Sequence, residues 1–214
     1  MTALTIEQTR QMLISAADAI ISQVPLLTEL DSAIGDGDHG VGMGIGMEKA
    51  KEALMRLGSI PDVNTLYKTM GMAMLTSMGG TSGVIFSTAF MAGVKGMEPF
   101  AELDCQKMKQ VFRNGLDAAK QRGQARVGDK TMVDAYEPAV LAMEAYCGSD
   151  MGEMLSGAAM AAEAGAEKTK EYIAKFGRAR YLGERAVGHR DAGATSVSII
   201  VAAMRDYVKH LPQS

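Results

Sequence analysis

Apolar residues recur at helical spacing along most of this chain, and no segment alternates convincingly enough to make a strand. Ile6, Leu13, Ala17, Ile20 and Val24 fall on one helical face. Thr5 and Gln8 precede them in the pattern of a capping box. Pro25 is expected to close that segment. Residues 28–46, dense in Gly and Asp, are expected to begin as a loop, with a helix over 41–57 that ends at Gly58. Asn64 predicts a cap for a helix reaching Met78, and a glycine turn at 79–83 leads into an apolar helix ending near Lys95. Asp104 predicts a cap for a helix from Cys105 to about Arg122. A loop over 123–130 leads to a helix near 131–146 that Pro138 should bend or start. Asp150 and Glu153 repeat the capping pattern before an Ala-rich helix to Phe176. A second Gly-rich loop spans 177–193, and a last helix runs over 194–210. Residues 197–201 are short and continue into Ala-rich sequence, so they read as buried helix rather than strand. The total is about eight helices, with no repeat, linker or domain boundary, so residues 1–214 are expected to form one all-α domain.

Composition agrees. Aromatic residues are only 5%, Trp is absent and Met numbers 18, whereas sheets lean on aromatic and β-branched residues. The charge balance of 22 basic and 25 acidic residues, without a basic run, excludes an evident nucleic-acid surface. No stretch approaches the apolar length of a membrane span, and the first ten residues carry no apolar signal core. Cys105 and Cys147 are too far apart in sequence to suggest a disulfide framework or a zinc site. A reducing, cytoplasmic setting is the simplest expectation.

The strongest chemical signal is Asp31, Asp36 and Asp38 beside His39. Carboxylates this close repel unless a cation neutralises them, and hard oxygen ligands suit magnesium or calcium. Gly35, Gly37 and Gly40 let the backbone turn tightly enough to converge the side chains. The competing reading is a solvated acidic turn whose Asp residues act as caps. An EF-hand begun at Asp36 fails, because Val41 falls where Gly is required and Met47 where the bidentate Glu is required. Gly35, Gly37 and Gly40 have dinucleotide-fingerprint spacing, but no strand precedes them. No Gly is followed by Lys, so there is no Walker A loop. A nucleotide here has to be held through metal and backbone amides. The glycine turn at 79–83, with Thr81 and Ser82, opens a helix and suits an anion, or is a plain turn. Arg178 and Arg180 offer guanidinium groups for phosphate. Asp191 reads equally as an N-cap, and His189 as a surface residue.

Taken in order, these segments match a known family. Residues 34–40, Ile34 through Gly40, resemble the metal loop of the L subunit of dihydroxyacetone kinase. The likeness continues through Met78 to Gly83, Gly128 to Met132, Gly177 to Arg185 and Gly188 to Ser196, and it covers nearly the whole chain. The resemblance implies an eight-helix antiparallel barrel with ADP in the loops at one end. It implies magnesium, as two ions, on Asp31, Asp36 and Asp38. It implies nucleotide neighbours at His39, Gly40, Val41, Gly42, Thr81, Ser82, Gly123, Met132, Arg178, Asp191, Ala192 and Gly193. Two positions depart from the pattern: Gly42 stands where Asn is common, and Ala192 where Pro is common.

The family also implies tightly bound ADP or ATP, recharged in place by a phosphohistidine carrier protein of the phosphotransferase system. The phosphoryl group then passes to a ketose held by a partner subunit. Arg178 is the expected charge stabiliser, and no side chain is singled out as catalytic. Homodimerisation is a further open assembly. Two alternatives stand beside this reading: an ATP-exchanging kinase of the same family, in which this fold is fused to, or works with, a ketose-binding domain (the free-standing length argues against fusion), and a nucleotide-sensing regulatory module.

Overall fold

The structure, a computed structural model, describes residues 1–212. The all-α architecture expected from the spacing holds. Among the described residues there are nine α-helices: α1 (Ile6–Ser22), α2 (Val24–Ile34), α3 (His39–Arg56), α4 (Val63–Ser77), α5 (Gly80–Gly93), α6 (Cys105–Gly123), α7 (Val133–Ala145), α8 (Met151–Lys168) and α9 (Ala192–His210). Two 3₁₀ segments, Thr169–Glu171 and Ala179–Ala186, lie between α8 and α9. Two three-residue strands, β1 (Ala3–Thr5) and β2 (Glu102–Asp104), pair antiparallel with Leu4 opposite Leu103. At three residues each they are too short to show an alternating pattern in the sequence.

Side-chain caps set most helix starts. Thr5 and Gln8 make the reciprocal capping box expected of them. Asp104, Asp150 and Asp191 accept backbone N–H groups from the first turns of α6, α8 and α9. The cap of α4 is Asp62 rather than Asn64, whose amide instead donates to the Met97 carbonyl.

Pro25 opens α2 instead of closing α1. It sits in the first helical turn, where the missing N–H costs nothing. Residues 28–34 are therefore helical, and the acidic loop shrinks to the four residues 35–38. Pro138 lies inside α7, which starts at Val133. The Ala-rich helix ends at Lys168, eight residues before Phe176, because Thr169 turns the chain away.

The helices pack in the order α1, α3, α4, α5, α6, α7, α8, α9, and α9 returns to α1; α2 lies outside this order against α3 and α9. Their inward faces merge into one hydrophobic core in which buried methionines such as Met12, Met43, Met70, Met108 and Met204 fill the irregular gaps between helices. Residues 197–201 are helical and mostly buried within α9, as expected. Both cysteines are free. Among the described residues no single helix is long and apolar enough to cross a membrane.

Candidate nucleotide and metal site

The site begins with carboxylates. Asp31 closes the last turn of α2, Asp36 lies in the link, and Asp38 precedes α3. One oxygen from each lies within 4.8 Å of the others. The link is pinned at both ends: the Gly35 N–H donates to the Asp31 carbonyl at 2.5 Å, and the His39 N–H donates to Asp31 Oδ2 at 3.2 Å. Asp38 is held above the ordinary carboxylate range, first by partial burial and then by the negative charges of Asp36 and Asp31, with Arg178 opposing. Arg178 forms an ion pair with Asp36. Three oxygen donors around one point, short of neutralising charge, are the donor set a hard divalent cation fits.

His39 then ties three helix starts together. It is the first residue of α3, and its ring is buried. Nδ1 stands 3.2 Å from Ser82 Oγ in the first turn of α5, and Nε2 stands 2.9 Å from Ser196 Oγ near the start of α9. The Ser196 hydroxyl spends its proton on the Ala192 carbonyl at 3.0 Å. Nε2–H must therefore donate to Ser196, and Nδ1 must accept from Ser82. Burial lowers the His39 pKa, while Asp31 and the Ala192 backbone oppose that shift, which keeps the ring neutral in this role.

One further helix start and one helix end reach the same place. Met132 precedes α7, and a Cβ built on Gly193 would lie 3.4 Å from its backbone nitrogen. Gly123, the last residue of α6, packs against Ile85 one turn into α5. Thus α3, α5, α7 and α9, every second helix in the packing order, begin at one end of the molecule. Their unpaired N–H groups and positive dipole ends make that end attractive to anions.

The expected residues are therefore not scattered. Asp31, Asp36, Asp38, His39, Ser82, Met132, Arg178, Asp191, Ala192 and Gly193 are linked by the contacts above; Gly40 follows His39 in α3, Gly123 ends α6 against Ile85 of α5, and Thr81 adjoins Ser82 at the exposed start of α5. Val41 is half exposed on the outer side of α3, and nothing lies within 4 Å of where a Cβ on Gly42 would stand. Arg180 stacks on Tyr181 rather than on the carboxylates.

Two residues assigned no role in the site from sequence alone complete the frame. Asp134 accepts from the N–H groups of Gly128 at 2.6 Å and Thr131 at 2.7 Å, and so shapes the turn before Met132. Lys130 is fully buried with a positive φ of 60°. An Asp at the start of a predicted helix was the available signal for the first; nothing local marks a buried lysine.

Comparison with known proteins agrees with this geometry. The DAK2 domain model matches residues 33–206. The chain is 38% identical over 179 residues to the ADP-binding subunit of PEP-dependent dihydroxyacetone kinase 1 of Listeria innocua, covering 84% of this chain and 85% of that protein. It is 37% identical to the corresponding Escherichia coli subunit, covering 86% and 88%. It superposes with a TM-score of 0.72 and 26% identity on the crystal structure of the dihydroxyacetone kinase from C. freundii in complex with AMP-PNP and Mg2+, over 92% of this chain and 33% of that one. With the family model spanning the acidic link and all the helix starts that meet there, the chain belongs to the DAK2 domain family.

Proposed function

We propose that this protein is the ADP-binding subunit of a dihydroxyacetone kinase, a phosphotransferase assembled from several polypeptides. The observation that carries the reading is the meeting of three carboxylates with four helix N-termini at one end, in a chain similar over most of its length to ADP-binding subunits. Bound nucleotide supplies the phosphoryl acceptor and donor, and magnesium, as two ions in this proposal, neutralises its phosphates. The chain's own residues do the rest. Asp31, Asp36 and Asp38 hold the metal. Backbone amides at the starts of α3 and α5 receive phosphate oxygens, and the Ser82–His39–Ser196 chain keeps those starts in register. Arg178, already beside the carboxylates, supplies positive charge where negative charge gathers. Asp191, Ala192, Gly193, Met132 and Gly123 line the nucleotide's other side.

The ketose sits on a partner subunit, and a phosphohistidine carrier recharges the nucleotide in place. The His39 ring is committed to two serines and is no free covalent anchor for ketose in this scheme. Two free cysteines agree with a reducing, cytoplasmic setting. A single core spanning all nine helices supports treating residues 1–214 as one functional unit.

The test is phosphoryl transfer from phosphoenolpyruvate to dihydroxyacetone, with catalytic amounts of this chain, the general carrier proteins and a ketose-binding subunit. Omitting any component should stop product, and Asp36→Asn or Asp38→Asn should abolish transfer while leaving the helical circular-dichroism signal. If excess ATP with the ketose-binding subunit alone gives the full rate, the protein is the ATP-exchanging kinase instead.

A further inference from the structure

Between α8 and α9 the chain leaves the helical body for residues 169–191. This excursion carries Arg178 to Asp36 and packs Ala174 and Ala186 against Ile34 beside the carboxylates. Its two ends are brought together from inside. The Lys130 ammonium donates to the Thr169 carbonyl at 2.6 Å and to the His189 carbonyl at 2.5 Å. The Thr169 hydroxyl accepts from the Asp191 N–H at 2.9 Å, and the Gly188 N–H donates to the Lys170 carbonyl at 2.8 Å. Outside, Lys175 pairs with the buried carboxylate of Asp129 at 2.7 Å, and its N–H donates to the Asp129 carbonyl.

A lysine this deep is expensive to bury, and such groups are ordinarily paired with a carboxylate. Here the ammonium makes no ion pair among the described residues, and its close partners are backbone carbonyls at the two feet of the excursion. Burial accordingly lowers its pKa, with Asp191 and Asp134 opposing from farther off. The left-handed backbone at Lys130, held by Asp134 accepting on either side of it, aims the side chain inward. A methionine of similar length would satisfy the packing without the charge, so the ammonium is there to grip the two carbonyls.

We propose that Lys130 is a positioning residue for the nucleotide site: its ammonium, with the outer Asp129–Lys175 pair, holds the 169–191 excursion so that Arg178 and the start of α9 face the bound nucleotide. The inference rests on the proposed function and adds to it a residue that touches neither nucleotide nor metal. The metal carboxylates belong to α2 and its link to α3, so loosening the excursion should weaken nucleotide binding far more than metal binding.

The experiment measures Mg·ADP affinity by calorimetry and Mn2+ affinity, without nucleotide, by electron paramagnetic resonance. If the wild-type protein does not bind Mg·ADP, the proposed function fails. If it does, Lys130→Met should bind Mg·ADP about 10–100-fold more weakly, the range seen when an outer positioning partner is removed. Its Mn2+ affinity should stay within about twofold of wild type. Trypsin should cut it faster at Arg178, Arg180 and Arg185, and ADP should no longer protect those bonds. Unchanged ADP affinity, or parallel loss of ADP and Mn2+ binding, overturns the proposal. If Lys130→Met does not fold, Lys175→Ala decides, since that side chain is largely exposed. A loss of at least about threefold in ADP affinity, well beyond the roughly twofold allowed for Mn2+, supports the clamp, and wild-type affinity overturns it.

Discussion

At the scale of single residues, the tightest constraint on the site is a hydrogen atom at position 40. A Cβ on Gly40 would meet the Thr28 hydroxyl, and would stand 2.5 Å from the Thr28 nitrogen and 2.7 Å from the Val24 carbonyl oxygen. Two of these three are backbone atoms of α2, which cannot swing aside. Gly40→Ala should therefore force α2, and Asp31 with it, away from α3, at a cost of about 1–3 kcal/mol. Two residues on, a Cβ at Gly42 meets open space. Gly42→Ala should be neutral or stabilising by up to about 1 kcal/mol, from helix propensity alone. Urea melts of the pair followed by circular dichroism check this, and a Gly40→Ala protein as stable as wild type would refute the close approach. The same open space would accept the Asn that the resemblance leads one to expect at 42. Ala192 is likewise the first residue of α9, a position that tolerates Pro. Spacing in the sequence made the three aspartates legible as a cluster because they lie within eight residues. The close approach at Gly40 is not legible in the sequence, since the Gly- and Asp-rich run from Thr28 on reads as loop and hides the helix that Gly40 packs against.

At the scale of elements, what could be read depended on whether a helix end was marked by its own side chains. Thr5 with Gln8, Asp104, Asp150 and Asp191 announce their helices, and the structure starts helices beside each. Pro25 was ambiguous, because a proline both follows a helix end and opens a helix. The early end of α8 is set from outside, by the grip of Asp191 and Lys130 on Thr169, so no local pattern could show it. Asp191 itself illustrates how a cap can oppose stability. Its carboxylate accepts from the Ala194 N–H at 2.7 Å, yet burial above all, with Asp134 and Asp31 adding, raises its pKa to about 7. A carboxyl whose folded pKa lies above its unfolded value binds the extra proton in the folded state. Stability therefore falls as pH rises from the unfolded pKa, near 4, to the folded one, near 7. Asp191→Asn keeps an oxygen for the cap and removes the charge. In nucleotide-free protein it should melt higher than wild type at pH 7.5, by about 2–4 °C for each kcal/mol regained. The difference should vanish below about pH 4. Thermal melts of both proteins across this range provide the check, and a gap that persists unchanged in acid would show that the carboxyl is not the cause.

At the scale of the whole molecule, the candidate site draws on segments that lie far apart along the chain: 31–42, 81–82, 123–132 and 178–193. They meet because helices that alternate in the packing order start at the same end, so only the assembled molecule presents the carboxylates, the helix N-termini and Arg178 together. A ligand that needs all of them binds the native state and not the unfolded chain. Its binding free energy is then added to folding, by about 2.7 kcal/mol when the ligand is at a hundred times its dissociation constant. For a chain of this length that corresponds to a rise in Tm of roughly 5–10 °C. The metal and nucleotide contributions should be coupled rather than additive. The clustered carboxylates repel a nucleotide's phosphates unless a cation lies between, and the cation alone finds only half of its ligands. Magnesium alone should therefore raise Tm slightly, ADP alone should not raise it, and the two together should give the full shift. EDTA should return the melt to that of the free protein. Differential scanning calorimetry with each ligand singly and combined makes the measurement. An ADP-induced rise that survives EDTA would mean that nucleotide binds somewhere other than across the aspartate cluster. Asp36→Asn should abolish the combined shift for the same reason, since two carboxylates no longer neutralise a divalent ion held against the phosphates.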